Sequence, residues 1–133
     1  MKVLFLCKGN RGRSQIAEAI FNKIHSNNLA KSAGTEEHHE GEDLPSKVIE
    51  VLLDVGIDAS HQKVKKLTSE MVDSADKIII LCGLKDCESI SNLLKNKDKI
   101  EFWNIPDPEG KKIDKLRETR ELLKKKIEQM SSV

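Results

Sequence analysis

Lys2-Val3-Leu4-Phe5-Leu6-Cys7-Lys8-Gly9-Asn10-Arg11-Gly12-Arg13-Ser14, residues 2–14, changes character twice. Residues 2–6 are a short apolar run of strand type. From Ser14 onward Ile16, Ala17, Ile20, Phe21 and Ile24 recur on one helical face. The stretch therefore reads strand, tight loop, helix. Backbone N–H groups of such a loop converge on an anion at the positive end of the helix dipole. Gly9 and Gly12 are expected to supply tight curvature and positive φ, and Asn10 is among the few other residues that tolerate left-handed geometry.

The side chains of the loop define a chemistry. Arg13 offers a planar fork that grips two oxygens of a phosphoryl group, where Lys would act only as a point charge. Lys8 and Arg11 add local positive potential. A free cysteine of pKa ~8.5 is only about 3% thiolate at neutral pH, whereas helix N-termini and nearby cations lower that value into the range ~3.5–7.5. Cys7 is thus placed to be a thiolate nucleophile, and the Ser14 hydroxyl to donate to it. A strand-end cysteine beside a glycine turn is by itself often a small buried apolar residue. Here the spacing to Arg13 and Ser14 and the flanking strand and helix favour catalysis. Nucleotide loops of the GxxxxGK[ST] and GxGxxG types are absent at this place.

Outward from the loop, strand and helix signals alternate. Residues 30–33 are a second short strand, and the polar run TEEHHEGED that follows Gly34 is a surface loop. Asp43 and Pro45 signal a helix start, Val48, Ile49, Leu52 and Leu53 form its apolar stripe, and Gly56 ends it. Thr68 caps a short helix through Met71 and Val72. Residues 77–82 (KIIILC) form a strand buried on both faces, residues 86–95 are helical, and 101–103 are a last short strand. Asp107 lies between two prolines in a stiff loop. Ile113, Leu116, Leu123, Ile127 and Met130 line one face of a final helix. The expected architecture is α/β, with a parallel sheet covered by helices on both faces and the ligand beyond the carboxyl ends of the strands.

Length and composition narrow the function. The chain has 133 residues, the size of one domain spanning 1–133, with no internal repeat or linker. With 23 basic and 22 acidic residues, net charge +1, it has no global field to draw nucleic acid or a membrane. The apolar start is too short for a secretory h-region or a span, and three cysteines argue against a disulfide framework. A cytoplasmic protein with reduced thiols is expected. His38 and His39 in an acidic loop, with no cysteine nearby, do not make a metal site.

The segment VLFLCKGNRGRSQIAEAIF resembles the opening of the low-molecular-weight protein tyrosine phosphatases, and of the thioredoxin-coupled arsenate reductases that share their fold. The likeness runs on through Ser32-Ala33-Gly34-Thr35, the Gly56-Ile57-Asp58 turn with His61, the 78–82 strand and Asp107-Pro108. It implies a three-layer fold around a four-stranded parallel sheet, Cys7 as nucleophile, Arg13 as phosphate clamp and Asp107 as general acid. Lys8, Gly9, Asn10, Arg11, Gly12 and Ser14 are then the substrate-binding loop. It implies no metal and no cofactor.

Asp107 makes chemical sense independently, because the departing oxygen of a phosphate monoester needs a proton. An aspartate of pKa ~3.9 is protonated about once in a thousand at pH 7, so burial or a neighbouring dianion must raise that value. The chain departs from the phosphatases at two places. Gly12 stands where they carry a second loop cysteine, and Glu109 and Gly110 follow Asp107-Pro108 where tyrosines flank the substrate ring. The chain contains no tyrosine. Cys82 and Cys87 are a candidate redox pair, as the reductases require. A phosphatase acting on a phosphorylated protein or a small phosphate ester is the leading expectation. An arsenate reductase using Cys7, Cys82 and Cys87 with thioredoxin as partner is its rival, and a non-catalytic phosphoprotein-binding module comes third.

Overall fold

The computed structural model describes residues 1–27, 29–35, 39–82, 97–108 and 112–130. Its elements in chain order are β1 (Lys2–Cys7), α1 (Arg13–Ile24), β2 (Leu29–Gly34), α2 (Ser46–Leu53), α3 (Ser69–Ser74), β3 (Lys77–Ile80), a 3₁₀ turn (Lys97–Lys99), β4 (Ile100–Phe102) and α4 (Ile113–Glu128). The helix expected over 86–95 lies outside the described residues.

The four strands form one parallel sheet in the order β2-β1-β3-β4. Cys7 lies opposite Gly34 on one side, and Leu6 opposite Ile80 on the other. The chain runs from β1 to β2 in one direction and resumes at β3 on the opposite side of β1. The carboxyl end of β1 is therefore the switch point of the sheet, where ligands of open parallel sheets bind.

Alternation along the strands divides a continuous apolar run between two cores. Val3, Phe5, Ile79 and Leu81 point into the larger one, which α1, α2 and α4 cover through Ile16, Ile20, Val48, Leu52, Leu116 and Leu123. Leu4, Leu6, Ile78, Ile80 and Cys82 point into the smaller one, against Met71 and Val72 of α3. Both faces are buried, which is why β1 and β3 read as unbroken hydrophobic runs. Each fully buried Leu or Ile contributes roughly 1.5–3 kcal/mol.

Helix ends follow local chemistry, with one correction. Gly56 has φ +81°, and the Gly56 N–H donates to the Leu53 carbonyl while Ile57 N–H donates to Leu52. This pair of bonds is a Schellman ending that requires the left-handed residue. Thr68 caps α3 by accepting from Met71 N–H. Asp43, expected to start α2, instead pairs with Lys63 in an isolated bridge and an ion pair. Pro45 stands at the N-cap with φ −55° and ψ 141° and no side-chain bond; its ring presets the extended entry. Among the described residues, no helix is long and apolar enough to cross a membrane.

Candidate active site

The loop after β1 wraps a buried asparagine. Asn10 is the one non-glycine residue described with positive φ, 55°, and its side chain is fully buried. Its Nδ2 donates to Ser14 Oγ at 2.8 Å and Ser32 Oγ at 3.0 Å. Its Oδ1 accepts from Lys65 N–H at 2.8 Å and from Gln15 Nε2 at 2.7 Å. Both donors and both lone pairs of the amide are thus used, and the left-handed backbone is held from four directions.

This corrects the reading of the loop glycines. Gly9 and Gly12 are not among the positive-φ residues, Gly12 having φ −130°, and a Cβ at either would meet nothing within 4 Å. The glycine that the loop needs is Gly34, across the sheet from Cys7. A Cβ there would lie 2.8 Å from the Lys8 carbonyl oxygen and 2.9 Å from the Asn10 nitrogen. Loop and β2 approach so closely that only a hydrogen fits between them.

Cys7 Sγ is buried, 2.8 Å from Ser14 Oγ and 3.3 Å from the Asn10 N–H that donates to it. Because Asn10 Nδ2 donates to Ser14 Oγ, the hydroxyl hydrogen is free to point at the sulfur. Sγ then receives two donors, an arrangement suited to a thiolate and to its return as a leaving group.

Arg13 opens α1. Its Nη1 donates to the carbonyls of Leu81 at 3.4 Å and Ile105 at 3.0 Å, which ties the guanidinium to the ends of β3 and β4. Nη2 lies 3.9 Å from Asp107 Oδ2, and the Asp107 side chain is 50% exposed. The burial expected for this carboxyl is therefore absent. Cys7, the loop 8–13 and Asp107 line one cavity of about 580 Å³.

Behind the loop runs a polar network that sequence reasoning did not identify. Ser32 Oγ donates to Glu18 Oε1 at 2.8 Å, and Lys65 Nζ lies 3.2 Å from the same oxygen. Gln15 Nε2 also donates to the Lys63 carbonyl at 2.8 Å, and its Oε1 accepts from Gln62 Nε2 at 2.7 Å. The available signal was Gln15 and Glu18 flanking Ile16 and Ala17 on the apolar side of α1, where polar residues must find buried partners. His61 is exposed, and Gln15 and Lys65 hold the Asn10 amide oxygen. Trp103 packs in the core with Phe5 and does not wall the cavity.

Cys82 stands apart from the Cys7 cavity. Cys82 is 1% exposed and packs on the Leu6 side of the sheet. It is disulfide-bonded, whereas Cys7 is a free thiol. Cys87 lies outside the described residues.

A parallel α/β sheet whose first strand ends in a cysteine, followed by an anion loop and an arginine at a helix N-terminus, defines a cysteine-dependent class of enzyme. Residues 2–132 match the family described as low molecular weight phosphotyrosine protein phosphatase, and the chain belongs to that family. A solved low-molecular-weight protein tyrosine phosphatase from T. tengcongensis is similar, with a TM-score of 0.88 and 32% identity, covering 96% of this chain and 95% of its own. An arginine phosphatase from Geobacillus stearothermophilus has a TM-score of 0.79 and 30% identity, with 96% and 88% covered. Among curated proteins, arsenate reductase 2 of Staphylococcus haemolyticus is 30% identical over 126 residues, 95% of this chain and 92% of that protein.

Proposed function

We propose that this enzyme hydrolyses phosphate monoesters through a phosphocysteine at Cys7. One observation carries the reading: Arg13 reaches from the Cys7 loop to within 3.9 Å of Asp107, and all three line one cavity. Nucleophile, anion clamp and proton donor are thereby within reach of a single phosphoryl group.

The Cys7 thiolate attacks phosphorus in line while Arg13 and the loop N–H groups hold the equatorial oxygens. The bond to the ester oxygen breaks, and Asp107 gives that oxygen its proton. Water then attacks the phosphorus, Asp107 takes the proton, and the P–S bond breaks to release phosphate. The Ser14 hydroxyl supports the departing thiolate. A phosphorylated protein or a small ester is the substrate class; an arginine phosphatase among the similar structures adds phosphoarginine, where the bond broken is P–N and the proton goes to nitrogen. The intact set Cys7, Arg13 and Asp107 argues against a silent phosphoprotein-binding module.

Arsenate reduction is the second reading, favoured by relatives named arsenate reductase and by the disulfide state of Cys82. It needs Cys82 to reach Cys7, yet Cys82 is not among the described residues lining the Cys7 cavity. Parallel assays on one preparation separate the two. We expect p-nitrophenyl phosphate to be hydrolysed, and arsenate with thioredoxin, its reductase and NADPH to give no NADPH consumption. Robust NADPH consumption without ester hydrolysis would reverse the assignment.

A further inference from the structure

The cavity over Cys7 is larger and more cationic than one oxyanion requires. A volume of about 580 Å³ lies in the range that encloses a whole small ligand, so the leaving group is received as well. Beyond the loop its wall is Pro45, Lys47 and Val48 at the start of α2, with Pro108 and, on α4, Leu116. His39 also borders it, its imidazole being the one aromatic ring among the described lining residues. Among the described residues, Lys8, Arg11, Arg13 and Lys47 border it against the single carboxylate of Asp107, although the whole chain carries only +1.

Two of these cations lack a counterpart. Arg11 Nε is buried and has no hydrogen-bond acceptor among the described residues, an unfavourable state for a donor. Lys47 is exposed, and no hydrogen bond or ion pair involves it among the described residues. Its neighbours differ: Lys63 is paired with Asp43, Lys65 with Glu18, and His39 with Glu42. The first turn of α2 also contains no acidic residue, so Lys47 sits uncompensated at the positive end of a helix. An anion held over the start of α2 would compensate Lys47.

We propose that the substrate is a phosphate monoester whose leaving group bears a second anion, a carboxylate in the simplest case, and that Lys47 selects it with Arg11 as a further donor. This rests on the hydrolytic reading of Cys7. The carboxylate can belong to a small ester or to an acidic residue beside a phosphorylated side chain, and the chemistry of recognition is the same.

The test compares 4-(2-carboxyethyl)phenyl phosphate with its methyl ester, whose leaving groups differ little in basicity. Wild type should prefer the acid in kcat/KM by about three- to fivefold, the size of one partly exposed ion pair, and added salt should erode the preference. In Lys47→Ala the ratio should fall to about one, and in Lys47→Glu it should invert, while kcat/KM for the methyl ester stays within about twofold of wild type. Phosphotyrosyl peptides with Asp or Asn next to the phosphorylated residue tell the sources apart: a preference for Asp assigns the carboxylate to a peptide, its absence to a small ester. Equal rates for acid and ester in wild type, or a preference that survives Lys47→Glu, would overturn the proposal. Should no ester be hydrolysed, the hydrolytic reading itself fails. The corresponding phosphonates titrated calorimetrically into Cys7→Ser then decide this one separately. Tighter binding of the carboxylated phosphonate, lost on adding Lys47→Glu, supports it, and equal binding refutes it.

Discussion

Ser14 sits between two partners that determine what its single proton can do. Asn10 donates to its oxygen at 2.8 Å and Cys7 Sγ lies 2.8 Å away, so the hydroxyl hydrogen is left to point at the sulfur. In the proposed hydrolysis Asp107 works on the other side of the scissile bond. In Asp107→Asn the hydrolysis of alkyl or poorly activated aryl phosphates should slow by roughly 10²–10⁴, the usual contribution of a general acid, and that of good leaving groups much less. A series of aryl phosphates of graded leaving-group pKa reads this directly; a uniform loss would make Asp107 a positioning residue. Gly34 acts at a distance from the chemistry. Gly34→Ala puts a methyl 2.8 Å from the Lys8 carbonyl oxygen, both groups being anchored in backbone. The variant should lose about 1–3 kcal/mol of stability, as overpacking does, together with phosphate affinity. Urea unfolding and phosphate titration measure the two, and unchanged affinity would show that the loop does not depend on this approach.

Among the elements, β4 is short and depends on its side chains. Glu101 pairs with Lys77 of β3 at 2.8 Å and accepts from Trp103 Nε1 at 3.2 Å, while Lys126 of α4 lies 5.7 Å from the centre of the Trp103 ring. The Lys77 hydrogen bond first, then the Trp103 N–H and the neighbouring charges, hold the Glu101 carboxyl below the ordinary glutamate range, against its partial desolvation. A carboxyl depressed by folding stabilises above its unfolded pKa of about 4.3, and that contribution is lost as pH falls through the lower folded value. Glu101→Gln should therefore destabilise at pH 7 by no more than about 0.5–1 kcal/mol, because the pair is half exposed and screened. The difference should shrink as pH drops below about 4. Urea midpoints followed by the fluorescence of Trp103, the one tryptophan of the chain, test this; a gap that widens in acid would contradict the assignment. The α2 terminus shows how an element signal is misread: Asp43 has the chemistry of a cap, but Lys63 on a neighbouring segment claims it.

For the whole molecule, strand order is what assembles the site. With β1 next to β3 and β3 next to β4, Leu81 and Ile105 present their carbonyls to Arg13, and the loop after β4 brings Asp107 to a cysteine far earlier in the chain. Cys82, one residue past Leu81, faces the smaller core on the other side of the sheet. Cys82→Ser should leave ester hydrolysis within about twofold of wild type, as expected for a residue outside the reacting set, whereas a reductase would lose arsenate turnover entirely. By itself the sequence determined the strand-loop-helix unit, the alternation of elements and the cysteine-arginine loop. These depend on periodicities of two and 3.6 residues and on contacts within a few positions. Tertiary structure alone decided that Gly34 rather than Gly9 or Gly12 must be small, and that Gln15, Glu18 and Lys65 hold the loop from behind. It also decided that Lys47 faces the thiol's cavity. Each of these depends on register and strand order, and a short-range pattern carries no information about which distant segment will lie alongside.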